Sequence, residues 1–156
     1  MPVLTSKLPY CDLLKIRPIQ FFMAKHTLFI CKSCFIAVDQ PYFEGQTGGE
    51  ILLKNLTKLY GDWPLAESFN IQTVRCMSIC QHPCSAAVSG PCKTAFAFGD
   101  LSPFESADPL LKFAEQYFHS EGGIVSQVRQ PKQLRKKIVA RIPALAERDP
   151  DKISEH

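Results

Sequence analysis

The sequence has no continuous apolar run approaching the ~18 residues of a membrane-spanning helix, so no transmembrane segment is expected. It has almost no charge imbalance. Eighteen basic residues stand against fifteen acidic ones, a net charge of +3. That supplies no general drive toward nucleic acid. The one basic cluster, Arg135-Lys136-Lys137 with Lys132 and Arg141, reads as a solvated face. There is no glycine-rich phosphate loop, no nucleophile elbow and no pair of carboxylates at a catalytic spacing. No catalytic residue is therefore named, and an enzyme with its own substrate pocket is unsupported. Internal repeats and low-complexity tracts are also missing. The single tryptophan, Trp63, reads as packing near a helix end. The N-terminus lacks a continuous apolar core for a signal peptide, because Pro9, Asp12, Lys15 and Pro18 interrupt it, and it lacks a small-residue cleavage site. This points to a reducing compartment, the cytoplasm. Ordered patterning begins just after Met23, so residues 1–23 are expected to be an extension, with Met23 as the working start.

Cysteine is what the chain does have, at seven residues, an odd count. Without an export signal, clustered cysteines are better read as ligands or redox groups than as structural bridges. Cys76, Cys80 and Cys84 fall four residues apart in Cys-Met-Ser-Ile-Cys-Gln-His-Pro-Cys, and Cys31-Lys-Ser-Cys34 forms an earlier pair. The composition, 46% hydrophobic and 21% charged, is that of an ordinary globular chain able to bury a core without staples. One domain over 24–143 is expected, followed by a polar tail, 144–156.

The apolar run 26–30 ends at Cys31 and predicts a buried strand feeding a ligand loop. Residues 35–49, with Pro41, Gly45, Gly48 and Gly49, read as a loop. Residues 50–60 carry Ile51, Leu52, Leu56, Leu59 and Tyr60 near helical spacing. Residues 69–75 alternate and predict a second strand ending at Cys76. A strand–helix–strand unit makes parallel neighbours through a right-handed crossover, so both cysteine loops should leave the same carboxyl edge of the sheet. Residues 84–88 and 93–98 predict a hairpin, and 106–119 a second helix, capped by Ser106 or Asp108. Residues 124–128 could add a short strand, and 130–143 read as a helix or an arm. The fold class expected is α/β, with a mixed sheet of about four strands.

Three chemistries fit the thiols. Cys31 and Cys34 alone could be a dithiol redox pair, although the glycine- and proline-rich stretch after them weakens the helix such pairs sit on. Four thiolates could hold zinc or cobalt in a tetrahedral site. Two pairs from two loops also meet the demand of a [2Fe-2S] cluster, two thiolates per iron. Cys31, Cys34, Cys76 and Cys80 are the candidate ligands, with Cys84 as the rival to Cys80. Cys11 and Cys92 read as passive. His82 is the best placed of the four histidines, the others being His26, His119 and His156, to offer nitrogen. Lys32 and Arg75 could favour thiolates, and Gly99-Asp100 reads as turn chemistry.

The element order and the x3 spacing of Cys76 and Cys80 resemble the thioredoxin-like [2Fe-2S] ferredoxins, whose first pair is more widely spaced than Cys31 and Cys34. From about Thr27 to Pro143 the chain is similar to a family of predicted metal-binding proteins, domain of unknown function 1636. The resemblance is carried by Cys31-Lys32-Ser33-Cys34, Cys76 through Cys80, Cys84-Ser85-Ala86-Ala87, Lys93 through Leu101, Tyr117, Gly122-Gly123 and Arg141-Ile142-Pro143. It implies a thioredoxin-like fold, a thiolate-bound metal or cluster and a link to cobalt or cobalamin metabolism. The reading from sequence is a [2Fe-2S] protein for electron transfer or redox sensing, working with a redox or metal-trafficking protein. Zinc or cobalt handling is the alternative, and a dithiol oxidoreductase the third.

Overall fold

The structure is a computed structural model, and residues 25–144 are described. The expected extension 1–23, the start at Met23, Cys11, His156 and the tail from 145 lie outside the described residues.

Strand β1, His26–Cys31, is the inner strand around which the sheet is laid down. Leu28 and Ile30 are fully buried while Thr27 and Phe29 alternate to the other face, the period-2 pattern of a half-covered sheet. After β1 come a small hairpin, β2 (Tyr42–Phe43) and β3 (Gln46–Thr47), and helix α1 (Gly48–Tyr60). A short 3-10 turn, Ala66–Ser68, leads into β4 (Phe69–Val74). Strands β5 (Ala86–Ser89) and β6 (Ala95–Phe98), helix α2 (Ala107–His119), a second 3-10 turn (Glu121–Gly123) and β7 (Ile138–Ile142) complete the described residues.

The sheet order is β4-β1-β5-β6-β7. β1 pairs in parallel with β4 and antiparallel with β5, and β5 pairs antiparallel with β6. Within the first four strands β5 alone runs against the rest, the strand order of the expected thioredoxin-like βαβ–ββα arrangement. α1 and α2 pack on each other and share one core with the sheet. α1 buries Ile51, Leu52 and Leu56, and α2 buries Leu110, Phe113, Ala114 and Tyr117. Edge-to-face rings tie α2 to β6, with Phe98–Phe113 centroids 4.9 Å apart. Trp63 packs 5.0 Å from Phe69, as a residue of the core margin.

Several details differ from the sequence reading, and residues 35–49, read as a loop, contain the β2–β3 hairpin and the first two residues of α1. The main sheet has five strands, because Ile138–Ile142 covers the edge of β6 that four strands would leave unpaired. Residues 130–143 are therefore turns and a strand, with Leu134 buried and a register shift at Ala97/Phe98. Residues 124–128 form no strand. Ile124 and Val128 are exposed, and the segment instead turns, with Arg129 N–H bonded to Ser126 O. Helix α1 starts two residues earlier than expected, because Thr47 and Glu50 close a capping box, Glu50 N–H to Thr47 Oγ1 at 3.1 Å and Thr47 N–H to Glu50 Oε2 at 3.0 Å. At α2 neither expected residue caps by its side chain. Ser106 makes no such bond, and Asp108 pairs with Lys112 at 2.7 Å.

Candidate metal centre

Parallel pairing places Cys31 directly beside Val74, so the two cysteine loops leave neighbouring strands at one edge. The loops are stitched together there. Lys32 N–H donates to Val74 O at 2.9 Å, the Ser33 hydroxyl donates to Arg75 O, and Cys31 N–H donates to Ser85 O at 3.1 Å. The N-terminus of α1 holds the first loop from the other side. Gly49 N–H donates to Cys34 O at 3.2 Å, and Thr47 Oγ1 donates to Lys32 O at 2.6 Å. Both glycines here are steric necessities: a Cβ on Gly48 would lie 2.4 Å from Phe35 O, and one on Gly49 1.9 Å from Cys31 O.

The two pairs sit in unlike surroundings. Cys31 and Cys34 are buried and free. Cys34 Sγ shares a hydrogen bond with Ser85 Oγ at 2.9 Å. Burial is the largest influence on Cys31 and opposes its ionisation, but hydrogen bonds from Cys34, the Met77 backbone, Ser85 and Ser33 outweigh it and leave its pKa lowered. Burial raises Cys34 to about 11. Cys76 and Cys80 are free and exposed, with sulfurs 3.8 Å apart, and Ser78 N–H donates to Cys76 Sγ at 3.3 Å. Cys80 is raised, first by its hydrogen-bond relation to Cys76, and it also feels the charge of Cys31 across the two loops.

Two thiolates bound at about 2.3 Å to one tetrahedral ion lie about 3.8 Å apart. The Cys76–Cys80 separation therefore already matches two ligands of a single metal. Each pair also receives a backbone N–H on sulfur, from Met77 on Cys31 and from Ser78 on Cys76. Such bonds stabilise thiolates and tune a bound cluster. In donor chemistry the four thiols suit a soft metal ion, but the two pairs stand apart rather than around a common point. Among the described residues, no His, Cys, Asp and Glu side chains gather in a group of three or more around one point.

The other sequence candidates occupy different positions. Cys84 is fully buried and joins the core, with a left-handed backbone (φ 55°), so it precedes β5 rather than opening it. Burial pushes its thiol up to about 12, and its charged neighbours are Cys34 and then Cys31, so it lies behind the buried pair. His82 is bonded through Nδ1 to Asp100 Oδ2 at 2.8 Å, and Gly99 lets the loop pass beneath, since a Cβ there would meet His82 Cβ at 2.5 Å. Asp100 thus braces the second cysteine loop, a role beyond turn geometry. His26 lies at the far end of β1 from Cys31, against Phe69 and Phe118, and His119 ends α2. Lys32 and Arg75 are exposed and line a cavity of about 430 Å³ with Ser33, Thr47 and Glu50. Arg75 meets the first loop through its carbonyl. Cys92, expected to be a passive thiol, takes part in a disulfide. Sequence reading missed Ser85, whose only signal was its place between Cys84 and the strand.

Among solved structures, the chain is similar to a thioredoxin-like [2Fe-2S] ferredoxin from Aquifex aeolicus. Identity is 15% over 83% of this chain and 98% of that one, with a TM-score of 0.47. No curated protein sequence matches the chain. No described helix is long and apolar enough to cross a membrane. The family model described as a protein of unknown function, DUF1636, matches residues 28–144, three quarters of the sequence, and the protein belongs to that family.

Proposed function

We propose that this protein holds a [2Fe-2S] cluster through Cys31, Cys34, Cys76 and Cys80 and serves in electron transfer or redox sensing. The observation that carries the reading is the delivery of two thiol pairs to one sheet edge, one pair already at the 3.8 Å separation of co-ligands. Bound there, the cluster would supply one-electron chemistry. The chain's own part is positional. β1 and β4 fix the two loops, α1 clamps the first, and the His82–Asp100 pair steadies the second. Ser85 and the Met77 and Ser78 amides satisfy the sulfurs. Function then requires a redox or metal-trafficking partner and a reducing compartment, the cytoplasm. The Cys92 disulfide is the one feature that pulls the other way.

One observation favours a second reading. Cys31 is lowered while Cys34 is raised to about 11, the asymmetry of an attacking and a resolving thiol. Both are nearly buried, however, and the exposed pair would then have no task.

Purification without oxygen, followed by iron, sulfide, zinc and cobalt analysis, tests the proposal. Iron and acid-labile sulfide in equal amounts, with visible charge-transfer absorption, are expected. Serine at Cys31, Cys34, Cys76 or Cys80 should each remove most of the cofactor, while Cys84→Ser should keep it. Zinc or cobalt without sulfide overturns the cluster and leaves a thiolate metal site. Metal-free protein that reduces disulfides, and stops on Cys31→Ser alone, establishes the dithiol.

A further inference from the structure

Directly after Cys34 the chain leaves the core and builds a projecting surface. The β2–β3 hairpin turns through Glu44 (φ 48°) and Gly45 (φ 77°), both left-handed, the geometry of a two-residue hairpin loop. Its first strand carries one aromatic residue toward each side. Tyr42 meets Phe35, centroids 6.4 Å apart, and Phe43 meets Phe104 edge-on at 5.3 Å. None of these rings is sealed from water. Phe35 is 43%, Tyr42 57%, Phe43 42% and Phe104 50% exposed, and Val38 in the same loop is 73% exposed. Scattered exposed apolar residues need no explanation, but five from two segments that touch each other do.

The charge carried by these two segments has one sign, while Lys54 and Lys58 of α1 share a cleft with Gln46 on the second strand of the hairpin. Asp39, Glu44 and Glu105 are exposed among these residues, and no Lys or Arg occurs between residues 33 and 53 or between 94 and 111. This is an acidic rim on a chain whose net charge is +3. The basic residues Lys132, Arg135, Lys136 and Lys137 lie in the turns before β7, on the opposite side of the sheet order from β1. An apolar centre flanked by exposed acidic residues is the anatomy of a transient protein interface, with the charges steering encounter and the aromatic residues holding it.

We infer that the surface formed by residues 35–44 with Phe104 and Glu105 docks a redox protein that presents an apolar spot ringed by lysine or arginine. The inference rests on the proposed function only in calling that partner a redox protein. The surface begins one residue beyond a candidate ligand, and Gly48 and Gly49 clamp its root to the cysteine loop. A partner seated on it would stand beside the thiol pairs.

The probe is ferric cytochrome c, a lysine-rich haem protein, mixed with the full chain as purified and joined by a carbodiimide that links carboxylates to lysines at zero length. Peptide mapping should find links at Asp39, Glu44 and Glu105 in preference to Asp62, Glu67, Glu115 and Glu121. The triple variant Asp39→Asn, Glu44→Gln, Glu105→Gln should lower total yield about fivefold at low salt, and 0.5 M salt should do the same to the unmodified chain. Phe43→Ser with Phe104→Ser should lower it several-fold, while coupling of the same carboxylates to glycine methyl ester stays unchanged. Links spread evenly over all seven carboxylates overturn the inference. So do links between two copies of this chain through the same three carboxylates without the probe, which would assign the surface to self-association. The map does not depend on cofactor content, so absent iron and sulfide defeat the cluster reading and leave this one standing or falling by itself.

Discussion

Replacing Gly49 by alanine tests whether the cysteine loop is positioned by helix α1. The added Cβ would stand 1.9 Å from the Cys31 carbonyl oxygen and 2.9 Å from both the Cys31 carbonyl carbon and Lys32 O. Ordinary contact lies near 3.4 Å, so about 1.5 Å of movement is needed, and every atom met is backbone. Alanine in a helix gains about 1 kcal/mol over glycine through its lower unfolded-state entropy. Overpacking costs typically about 1–3 kcal/mol. With every atom met being backbone, the clash should sit at the upper end of that range and win, for a net loss of up to about 2 kcal/mol. For the folded residues here that is a fall in melting temperature of about 4–8 °C. The effect on the site should be larger than the effect on the fold. Metal–ligand distances tolerate only about 0.2 Å, and the carbonyl that must move belongs to Cys31 itself. Anaerobically purified Gly49→Ala should remain folded by circular dichroism and lose most of its iron and visible absorption. Full metal content, with unchanged melting, would show that α1 does not set the loop and would refute the reasoning.

Lys93 donates from Nζ to Phe118 O at 2.6 Å, Tyr117 O at 2.7 Å and Ser120 O at 2.8 Å, closing the end of α2. Tyr117 O keeps Ser120 Oγ and N–H as donors, so Lys93→Met strands chiefly the other two carbonyls. A loss of about 2–3 kcal/mol, read by chemical denaturation, is expected. A loss below about 0.5 kcal/mol would mean that water replaces the ammonium. His26 is lowered from 6.5 to about 4, by burial first and the Lys93 charge second. The unfolded chain therefore takes up a proton at His26 before the folded one does. Stability should be flat in this term above about 6.5 and fall as pH drops from there toward about 4, by about 1–2 kcal/mol after solvent screening. His26→Gln should flatten that limb. Parallel acid limbs in the two proteins would remove His26 as the cause.

The positions of the cysteine loops were legible because two apolar runs stop at Cys31 and Cys76, and a short crossover dictates parallel neighbours. The capping box at Thr47 and Glu50, which fixes where α1 begins, was not read, because the glycines between them looked like loop breakers rather than a close approach. β7 was hidden because Ile138-Val139-Ala140-Arg141-Ile142 alternates poorly and follows a basic stretch. What specifies it is the unpaired edge of β6, a tertiary demand. The hairpin β2–β3 was hidden because two-residue strands have no period. Cys84 could not be sorted from Cys80 by spacing, since the choice turns on a left-handed backbone at Cys84 that sends its sulfur into the core. Asp100 looked like turn chemistry because its partner, His82, is eighteen residues away.

The unequal burial of the two pairs carries its own consequence. Among thiols packed as Cys31, Cys34 and Cys84 are, burial favours the neutral form, and each ionised sulfur opposes ionisation of the next. Hydrogen bonds outweigh burial at Cys31, whereas at Cys34 the bonds from Ser85 do not. The inner pair can therefore become a pair of thiolates only when positive charge arrives with the change, which is what a bound metal brings and a solvent proton does not. Cys76 and Cys80 are exposed, although the hydrogen bond and charge of Cys76 still raise Cys80. Under the proposed reading, an arriving metal would meet Cys76 and Cys80 first, and Cys31 and Cys34 would have to give up their protons to hold it. For that reason, loading should depend on pH through Cys34 more than through Cys80. In such a site the outer pair would give access. The inner pair, held by Ser85 and the α1 clamp, would give retention.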